Sequence, residues 1–533
     1  MFINKITLLL ICPILMSLFK STAVVSLFTF ASRISGFVRD QVMVIFFGVT
    51  VLTDAFLVAF KIPNFMRRLF AEGSFSMAFV PVLNDIKATE SKELLKEFID
   101  SVAGTLISIV LVVWMLLEIF APQVLWLTAP SWKTSDPEVF KEAVSWLRYT
   151  LFYFPFIVMV AFAGGILNSH KKFALPAATP ILLNVSLILS VLFLRDNFEI
   201  PEKSLAIGVL IAGIVQLVVQ VPALLKLGLF PKFKFGFRDE KVKKVMKLMI
   251  PTLFGSSVAQ INVLLDTIIA TWLVAGSVSY LYLSERLLEF PLGIFAIAIS
   301  TVILPTLSRQ FAKEDKEEFV KTMRWALNLG FLIAIPAAIG LAVLAEQVVV
   351  ALFEYGKFTP DKTQMVSIGV MAYMLALPAF IINKILLPAY YSRKDTKTPV
   401  KIGIIAMFSN MGFNLIFVGI LWYLDFYALY VGLALASALS GWMQTVMLYR
   451  GLRKAGVLPK GVIAWKIVIK ITSASIIMAM SLYLLVNQFG NWSDLTWHGR
   501  LGCLFLCIGS GVLVFYCSLV AMKVKVKQML VHR

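Results

Sequence analysis

Charged side chains interrupt several otherwise apolar stretches of this sequence, and they are the groups that could do chemistry. In the stretch SRISGFVRD, Arg39 shares one helix face with three small residues at i−7, i−4 and i−3: Ser32, Ser35 and Gly36. Arg33 and Asp40 are seven residues apart and share a neighbouring face. Guanidinium groups bind phosphate oxygens through paired N–H donors, and small neighbours would let a bulky ligand approach Arg39.

A second stretch, TDAFLVAFKIPNFMRR, aligns three charged residues at successive intervals of seven: Asp54, Lys61 and Arg68. Asn64 and Arg67 are close to this row, and Pro63 favours a kink in the helix. The pattern therefore predicts a second helix whose polar groups lie along one side.

A third stretch, SERLLEFP, places Glu285 and Glu289 four residues apart and lets Arg286 reach Glu289 at i+3. An ionisable side chain at the centre of a bilayer costs about 2.5–3.5 kcal/mol on insertion scales, so each one needs a partner or a wet cavity. Ion pairs between helices would meet that need for Asp40, Asp54 and Glu289, and this alternative stays open.

The arginines favour a binding role. In the first two stretches, basic residues outnumber the nearby acidic ones: Arg33, Arg39, Arg67 and Arg68 against Asp40 and Asp54. With Arg286 from the third stretch, they predict a net cationic cleft inside the membrane. Such a cleft is suited to an anionic substrate.

A different set of oxygen-bearing side chains could bind a monovalent cation such as Na⁺. Asp266 has no basic residue within one helical turn, and Asn410 and Asn414 share a face at i, i+4. Carboxylate, amide and backbone oxygens form ion sites in transporters. The alternative is a protonated or hydrogen-bonded Asp266, with the two asparagines joining helices.

The composition decides the class of protein to which these groups belong. Of 533 residues, 59% are apolar and 15% are charged, and the mean hydropathy is +0.88. Soluble domains are about 45–50% apolar and about 25% charged, so a soluble enzyme is excluded. The net charge is +19, but the basic residues lie between long apolar runs, so this charge does not indicate nucleic-acid binding. The sequence has no phosphate-binding loop or hydrolase motif that would indicate ATP hydrolysis.

An all-α polytopic membrane protein with about 14 transmembrane helices is the predicted fold class. Runs of roughly 20 apolar residues give these spans: 22–46, 52–76, 100–128, 143–167, 176–194, 204–225, 247–273, 278–306, 325–349, 366–391, 399–421, 428–449, 464–487 and 501–522. The first, second, seventh and eighth are the least apolar. Alternate connections are rich in Lys and Arg, with eight in 226–247 and five in 309–324, which predicts that both termini are cytoplasmic.

An internal repeat organises the spans. The run FVPVL at 79–83 matches ILPTL at 303–307 with an offset of 224, and Pro155 and Pro176 match Pro378 and Pro399 with an offset of 223. Six spans per repeat give two six-helix lobes of the same orientation, 16–226 and 227–452, with a cleft between them and two C-terminal helices in 453–533. Residues 1–15 are expected to be a dispensable extension, with Met16 as an alternative start.

Four runs resemble the MurJ/MviN-type lipid II flippases, a family within the multidrug/oligosaccharidyl-lipid/polysaccharide exporter superfamily. These runs are FASRISGFVRD, TDAFLVAFKIPNFMRRLFAEGSFSMAFVPVL, SYLYLSERLLEFPLG and YYSRKDTKTPVKI. The resemblance implies a V-shaped protein that moves an undecaprenyl-diphosphate-linked peptidoglycan precursor to the outer leaflet of the bacterial cytoplasmic membrane by alternating access. It implies substrate-binding roles for these residues: Arg33, Arg39, Asp40, Asp54, Lys61, Asn64, Arg67, Arg286 and Glu289. Glu285 stands where the family commonly has Asp.

The resulting functional expectation is a lipid II flippase rather than an enzyme. Its partners would be lipid II and the bilayer, together with cell-wall synthesis proteins. It would require no cofactor, with the membrane potential as driving force and Na⁺ as a possible coupling ion. The rivals are a drug or organic-cation exporter, another lipid-linked oligosaccharide flippase and a membrane scaffold. An organic-cation exporter would be expected to have mainly acidic residues in its cleft, which the arginines disfavour.

Overall fold

The computed structural model describes residues 2–69, 75–526 and 529, with side chains described except at 2–23, 252, 254–259 and 297–298. Within those ranges the regular structure is helical, without strands. The helices up to the middle of the chain are α1 Phe2–Phe47, α2 Val51–Arg67, α3 Phe75–Thr89, α4 Lys92–Ile119, α5 Ala121–Thr128, α6 Trp132–Ser135, α7 Pro137–Leu151, α8 Tyr153–Ser169, α9 Ala174–Leu194, α10 Lys203–Leu227 and α11 Glu240–Ala270.

The second half continues the series. Its helices are α12 Ser277–Pro291, α13 Ile297–Ala312, α14 Lys316–Val343, α15 Ala345–Phe353, α16 Pro360–Met374, α17 Leu377–Tyr391, α18 Lys397–Tyr423, α19 Val431–Lys454, α20 Trp465–Val486 and α21 Trp497–Ala521. Short 3₁₀ turns occur at Arg195–Asn197, Asn487–Phe489 and Trp492–Asp494.

The predicted spans coincide with these helices or with consecutive pairs of them, except for residues 70–74 of the second span, which lie outside the described residues. Ten helical stretches of the described chain are long and apolar enough to cross a membrane, with α7–α8 and α12–α13 each counted as one, and the bent pair α16–α17 adds an eleventh. The remaining three predicted spans fall on α1, α2 and α11, which are among the four that the sequence marks as least apolar. The fold class predicted from the sequence is thereby confirmed, with about fourteen spans.

Breaks within spans occur at equivalent places in the two repeats. Helix α8 begins two residues before Pro155, and α17 begins one residue before Pro378, where the α16–α17 pair bends by 42°. A π-helical turn follows α2 at residues 68–69 and follows α12 at Leu292–Ala296, positions that begin 224 residues apart. Proline removes a backbone donor, and π-turns frequently occur at functional sites. The sequence predicts a kink at Pro63 and no break at these positions.

Helix packing follows the same pattern in both repeats. In the first repeat α9 packs on α10, α2 on α7, α3 on α8 and α8 on α10. In the second repeat the equivalent contacts are α18 with α19, α12 with α16, α13 with α17 and α17 with α19. The internal repeat predicted from the sequence is therefore confirmed at the level of helix pairs.

Two compact units divide the chain, Met1–Leu264 and Leu265–Arg533, so the division falls inside α11. The lobe limits at 226 and 452 stay predictions, as does the dispensability of residues 1–15, whose side chains lie outside the described ones. In the first unit, stacked and tilted phenylalanine rings join α3, α4 and α8: Phe75, Phe79, Phe98 and Phe162. Van der Waals packing of these rings holds the three helices together.

The last two helices are fastened to the second repeat by a buried arginine. Arg500, near the start of α21, donates to the backbone carbonyl oxygens of Val350 (3.2 Å) and Glu354 (2.7 Å). Its guanidinium also lies 3.7 Å from the Glu354 carboxylate, and both side chains are buried. Thr363 donates to the other oxygen of that carboxylate. Helix α20 packs on both α14 and α21.

Candidate functional site

Arg39 in α1 is held in place by two buried side chains. Its Nε and Nη2 donate to Oδ1 of Asp40 at 2.9 and 2.5 Å, and its Nη1 donates to Oδ1 of Asn184 in α9 at 3.1 Å. The Asp40 side chain is 0% exposed, whereas that of Arg39 is 15% exposed. A buried carboxylate paired with a guanidinium fixes the orientation of the fork. The arrangement fixes a guanidinium, paired with a carboxylate, inside an apolar bundle.

Asn184 is the functional candidate that sequence reasoning missed. Its Nδ2 donates to the carbonyl oxygen of Ser32 (3.1 Å) and to Oγ of Ser35 (2.9 Å), so its Oδ1 faces Arg39. It is the one amide side chain of α9, within a largely apolar run, and its place on the fifth span matched no motif. One feature of the sequence could have indicated it: the eleventh span, which is the equivalent of the fifth in the other repeat, carries the asparagine pair Asn410 and Asn414.

The small-residue stripe beside Arg39 has a different neighbour from the one expected. Ser32 and Ser35 bond to Asn184, and α1 packs against α9 along this face. The stripe therefore packs on a neighbouring helix, and the access that it was expected to give a bulky ligand to Arg39 stays a prediction. Arg33 also differs from Arg39, since it is half-buried and has no hydrogen-bond or ion-pair partner in the described chain.

The polar side chains along α2 become less buried from the start of the helix toward its end. Thr50 caps this helix by accepting from the backbone N–H of Thr53. Asp54 is buried, whereas Lys61 is partly buried and makes contacts within the protein. Further along, Nε and Nη2 of Arg67 donate to Oδ1 of Asn64 at 3.0 and 2.8 Å.

Arg68 ends the row, and its Nη1 donates to Oε1 of Gln260 in α11 at 3.2 Å. Arg67 and Arg68 therefore donate hydrogen bonds to side chains of different helices. Arg67 bonds within its own helix, whereas Arg68 links α2 to α11.

In the second unit, Arg286 and Glu289 form the i, i+3 pair that the sequence predicts. Nη1 of Arg286 lies 3.0 Å from Oε2 of Glu289, and their side chains are 27% and 44% exposed. Glu285 on the same helix is partly buried and makes contacts within the protein. This pair is wetter than that of Arg39 and Asp40, so its partners are easier to exchange.

The oxygen-bearing set of the second unit is brought together. Oδ1 of Asp266 accepts from Nδ2 of Asn410 at 3.0 Å and from Nδ2 of Asn414 at 2.6 Å. Oγ of Ser440 donates to Oδ1 of Asn410 at 3.1 Å, while Oδ1 of Asn414 is buried without a hydrogen-bond partner among the described residues. The amides thus turn their nitrogens, not the expected oxygens, toward Asp266. The described chain contains no group of three or more His, Cys, Asp or Glu residues that could hold a metal ion.

Both repeats join the helix of their first span to the helix of their fifth span in the same way: α1 to α9 in the first repeat, and α11 to α18 in the second. We call this contact the joint. An asparagine of the fifth helix bonds to a charged residue of the first: Asn184 to Arg39, and Asn410 to Asp266. The charged groups have opposite signs.

Known proteins now identify the family. The model of the family described as "Lipid II flippase MurJ" matches residues 43–497. The chain belongs to the lipid II flippase MurJ family. The probable lipid II flippase MurJ of Haemophilus influenzae is 42% identical over 509 residues, which are 93% of this chain and 98% of that protein. The lipid II flippase MurJ of Burkholderia cenocepacia is 35% identical, covering 83% of this chain and 85% of its own.

Solved structures agree with this MurJ assignment. A lipid II flippase MurJ in an inward closed conformation superimposes with a TM-score of 0.76 at 29% identity, covering 93% of this chain and 98% of that one. An inward-facing multidrug resistance MATE transporter of the MOP superfamily gives a TM-score of 0.65 at 14% identity, covering 80% and 95%, which shows a shared fold alone. The resemblance found in the four sequence runs is confirmed, and the chain is a multi-pass membrane transporter of the MurJ family.

Proposed function

We propose that this protein moves lipid II from the inner to the outer leaflet of the bacterial cytoplasmic membrane by alternating access, with both termini cytoplasmic. The observation that carries the proposal is the fixed guanidinium of Arg39, framed by Asp40 and Asn184 in a chain of the MurJ family. A positioned guanidinium in a low-dielectric setting binds a diphosphate more strongly than a mobile one, because the fork needs no reorganisation.

The remaining polar groups of the two units would share the work on the substrate. Arg39 and Arg286 would each donate to diphosphate oxygens, while Arg33 and Arg67 would guide the substrate. The partly exposed Glu289 would release Arg286 when the anion arrives, since exchanging a wet ion pair costs little. The fully buried Asp40 would keep its hold on Arg39 throughout the cycle. Asp54, Lys61, Asn64 and Glu285 would complete the polar lining.

Energy for the cycle would come from the membrane potential. A diphosphate diester carries about two negative charges, and moving each one outward through an inside-negative potential is favourable by roughly 2.3 kcal/mol per 100 mV. Collapsing the potential with an ionophore should therefore slow flipping at constant protein level. An unchanged rate would contradict this source of energy.

Na⁺ would act at Asp266, Asn410 and Asn414 in the second unit. The donor set fits a hard monovalent cation on one condition, that the Asn414 amide turns its unpartnered Oδ1 toward Asp266. A bound cation would lower the cost of a buried carboxylate and stabilise the conformation that holds it.

The protein would handle a lipid-linked glycan within the bilayer, with α20 and α21 accommodating its polyprenyl chain in hydrocarbon. Proteins of cell-wall synthesis that make and use lipid II are its expected partners. The excess of Arg33, Arg39, Arg67 and Arg68 over Asp40 and Asp54 in the first two stretches disfavours an organic-cation exporter, which would need mainly acidic residues.

The decisive experiment reconstitutes the purified protein in vesicles and measures movement of labelled lipid II between leaflets. Wild-type protein should move it, whereas Arg39→Lys and Arg286→Lys should lose most of the activity while still inserting. Lysine offers one ammonium in place of a fork, and a hydrogen bond to a charged group contributes about 1.5–3 kcal/mol. Lysine variants that flip lipid II at the wild-type rate would contradict the diphosphate role. Lack of transport by the wild type would contradict the function.

A further inference from the structure

The connection between α10 and α11 has an unusual form. Helix α10 ends at Leu227 and is capped by Gly228, whose φ of +70° is the left-handed conformation that suits glycine. The N–H of Leu229 bonds back to the carbonyl of Leu224. The chain then has no helical or strand structure over 229–236, before α11 begins at Glu240. We call residues 230–237, with the sequence FPKFKFGF, the aromatic strap.

Three polar contacts fasten the aromatic strap across α4. The backbone N–H of Lys232 donates to Oδ1 of Asp100 at 2.7 Å, and Nζ of Lys234 lies 2.5 Å from Oε1 of Glu97. The backbone N–H of Gly236 donates to Oγ1 of Thr105 at 3.1 Å. The hydrogen bond with Glu97 also raises the pKa of Lys234 above its ordinary value.

Two glycines let the aromatic strap approach the backbone of α4. A Cβ on Gly104 would lie 2.1 Å from the carbonyl oxygen of Lys234, and a Cβ on Gly236 would lie 2.6 Å from Cβ of Ser101. Real Cβ atoms do not come this close to their neighbours, so neither position accommodates a methyl group without movement. The aromatic strap is therefore seated on α4 rather than hanging as a loop.

The outer side of the aromatic strap is a row of phenylalanines. The exposed fractions of Phe230, Phe233, Phe235 and Phe237 are 41%, 57%, 67% and 50%. The rings lie side by side, with centroids 4.7 Å apart between Phe233 and Phe235 and 6.4 Å apart between Phe235 and Phe237. A fastened segment that turns four aromatic rings outward requires an apolar environment on that side.

Cations flank this row. Four basic side chains in 226–247 have no acidic partner in the described chain: Lys226, Lys232, Arg238 and Lys247. The other four pair with carboxylates on neighbouring segments or within α11: Lys234, Lys241, Lys243 and Lys244. Basic residues beside the cytoplasmic leaflet are attracted to its anionic lipids by about 1 kcal/mol each.

The level of the aromatic strap along α4 matches a membrane surface. It crosses α4 between Glu97 and Thr105, just before a lipid-facing stretch that includes exposed Leu111, Val112, Met115 and Leu116. The Lys and Arg distribution predicts that this end of α4 is cytoplasmic.

We propose that the aromatic strap is an interfacial anchor in the cytoplasmic leaflet. Its phenylalanines would enter the acyl region, and the four cations without acidic partners would lie at lipid phosphates. It would hold the connection between the two repeats at a fixed depth. A bilayer containing anionic phospholipid is the partner that fits both the rings and the charges.

Spin-label accessibility tests this depth directly. In a variant with Cys12, Cys503, Cys507 and Cys517 replaced by serine, a nitroxide is attached at Phe235→Cys or Phe233→Cys, and the protein is reconstituted with phosphatidylethanolamine and phosphatidylglycerol. Both labels should be more accessible to oxygen than to a water-soluble nickel complex. A label at Lys243→Cys, on the exposed side of α11, should show the reverse order. Nickel accessibility at 233 and 235 equal to that at 243 would overturn the anchor.

Two further experiments test the packing of the aromatic strap on α4 and the role of its basic residues. Gly104→Ala should release the aromatic strap and increase nickel accessibility at 235, whereas Gly403→Ala, where a Cβ meets nothing within 4 Å, should leave it unchanged. Replacing phosphatidylglycerol by phosphatidylcholine should make the label shallower, and the double variant Lys232→Gln/Arg238→Gln should remove that lipid dependence. If the depth of the label changes neither with lipid charge nor in the double variant, the proposed attraction between these cations and anionic lipid would be overturned. Shielding seen in cells but absent from the reconstituted membrane would indicate a protein partner and overturn the proposal.

Discussion

At the scale of single residues, the two arginine pairs differ in burial, and their carboxylates should therefore differ in mutational cost. Asp40 is fully buried against Arg39, whereas Glu289 is partly exposed beside Arg286. Removing one partner of a buried pair costs about 3–5 kcal/mol, while an exposed pair contributes about 0–1 kcal/mol.

Asp40→Asn should therefore abolish transport and lower thermal stability, and Glu289→Gln should retain partial transport with unchanged stability. Arg286→Gln should lose transport, since it removes the cation proposed to bind the diphosphate. Complementation of a flippase-depleted strain and melting of the purified variants measure the two effects. Equal loss of transport in Glu289→Gln and Arg286→Gln would assign Glu289 a direct role in binding or switching.

Asn184 should act by orienting Arg39. Asn184→Leu removes the acceptor for Nη1 of Arg39 and the donor to the Ser35 hydroxyl, at a cost of about 1–3 kcal/mol. We expect at least a tenfold loss of lipid II affinity, with Asn184→Gln restoring part of it. Ser186→Ala, a change of another buried polar residue on the same helix, is the control and should bind lipid II normally. Normal affinity in Asn184→Leu would contradict the positioning role.

The residues of this site were predictable to different degrees. Arg39, Asp40 and Arg286 stood out because a charged side chain within an apolar run is costly in the membrane. Asn184 did not, because a neutral amide is tolerated in a span and its partner is distant in sequence. Pairing of Asp40 with its neighbour Arg39, rather than across to Arg33, depends on side-chain conformations that helical periodicity does not specify.

At the scale of elements, hydropathy located the spans, since each needs about 20 apolar residues whatever its partners. It did not show their breaks. Apolar composition remains continuous across the bend between α16 and α17, and only Pro378 marks it. The attachment of α20 and α21 was equally hidden, because Arg500 reads in the sequence as an ordinary basic residue after a loop.

Arg500→Gln should loosen the last two helices. The substitution removes donors to the Val350 and Glu354 carbonyls and leaves the Glu354 carboxylate without its buried cation. We expect a loss of about 3–5 kcal/mol and faster proteolysis in the connection before α20. Arg450→Gln, at an exposed position of α19, is the matched control. Equal proteolysis rates for the two variants would contradict the fastening role.

At the scale of the whole molecule, Na⁺ should stabilise the protein through the Asp266 site. Melting temperature should rise with Na⁺ concentration relative to choline, because a ligand that binds only the folded state shifts unfolding by mass action. The rise should disappear in Asp266→Asn and persist in Asp361→Asn, whose carboxylate is exposed. Identical melting in Na⁺ and choline would contradict the ion site.

The joint between first and fifth helices also bears on how such a molecule can arise by duplication. An amide has a donor end and an acceptor end of nearly the same shape. In one half the oxygen of Asn184 meets a guanidinium, and in the other the nitrogen of Asn410 meets a carboxylate. Half a turn of the amide exchanges one arrangement for the other. A copied half could therefore reverse the sign of its charged residue while the asparagine kept its place, so that one ancestral joint yields one half built around a guanidinium and one built around a carboxylate.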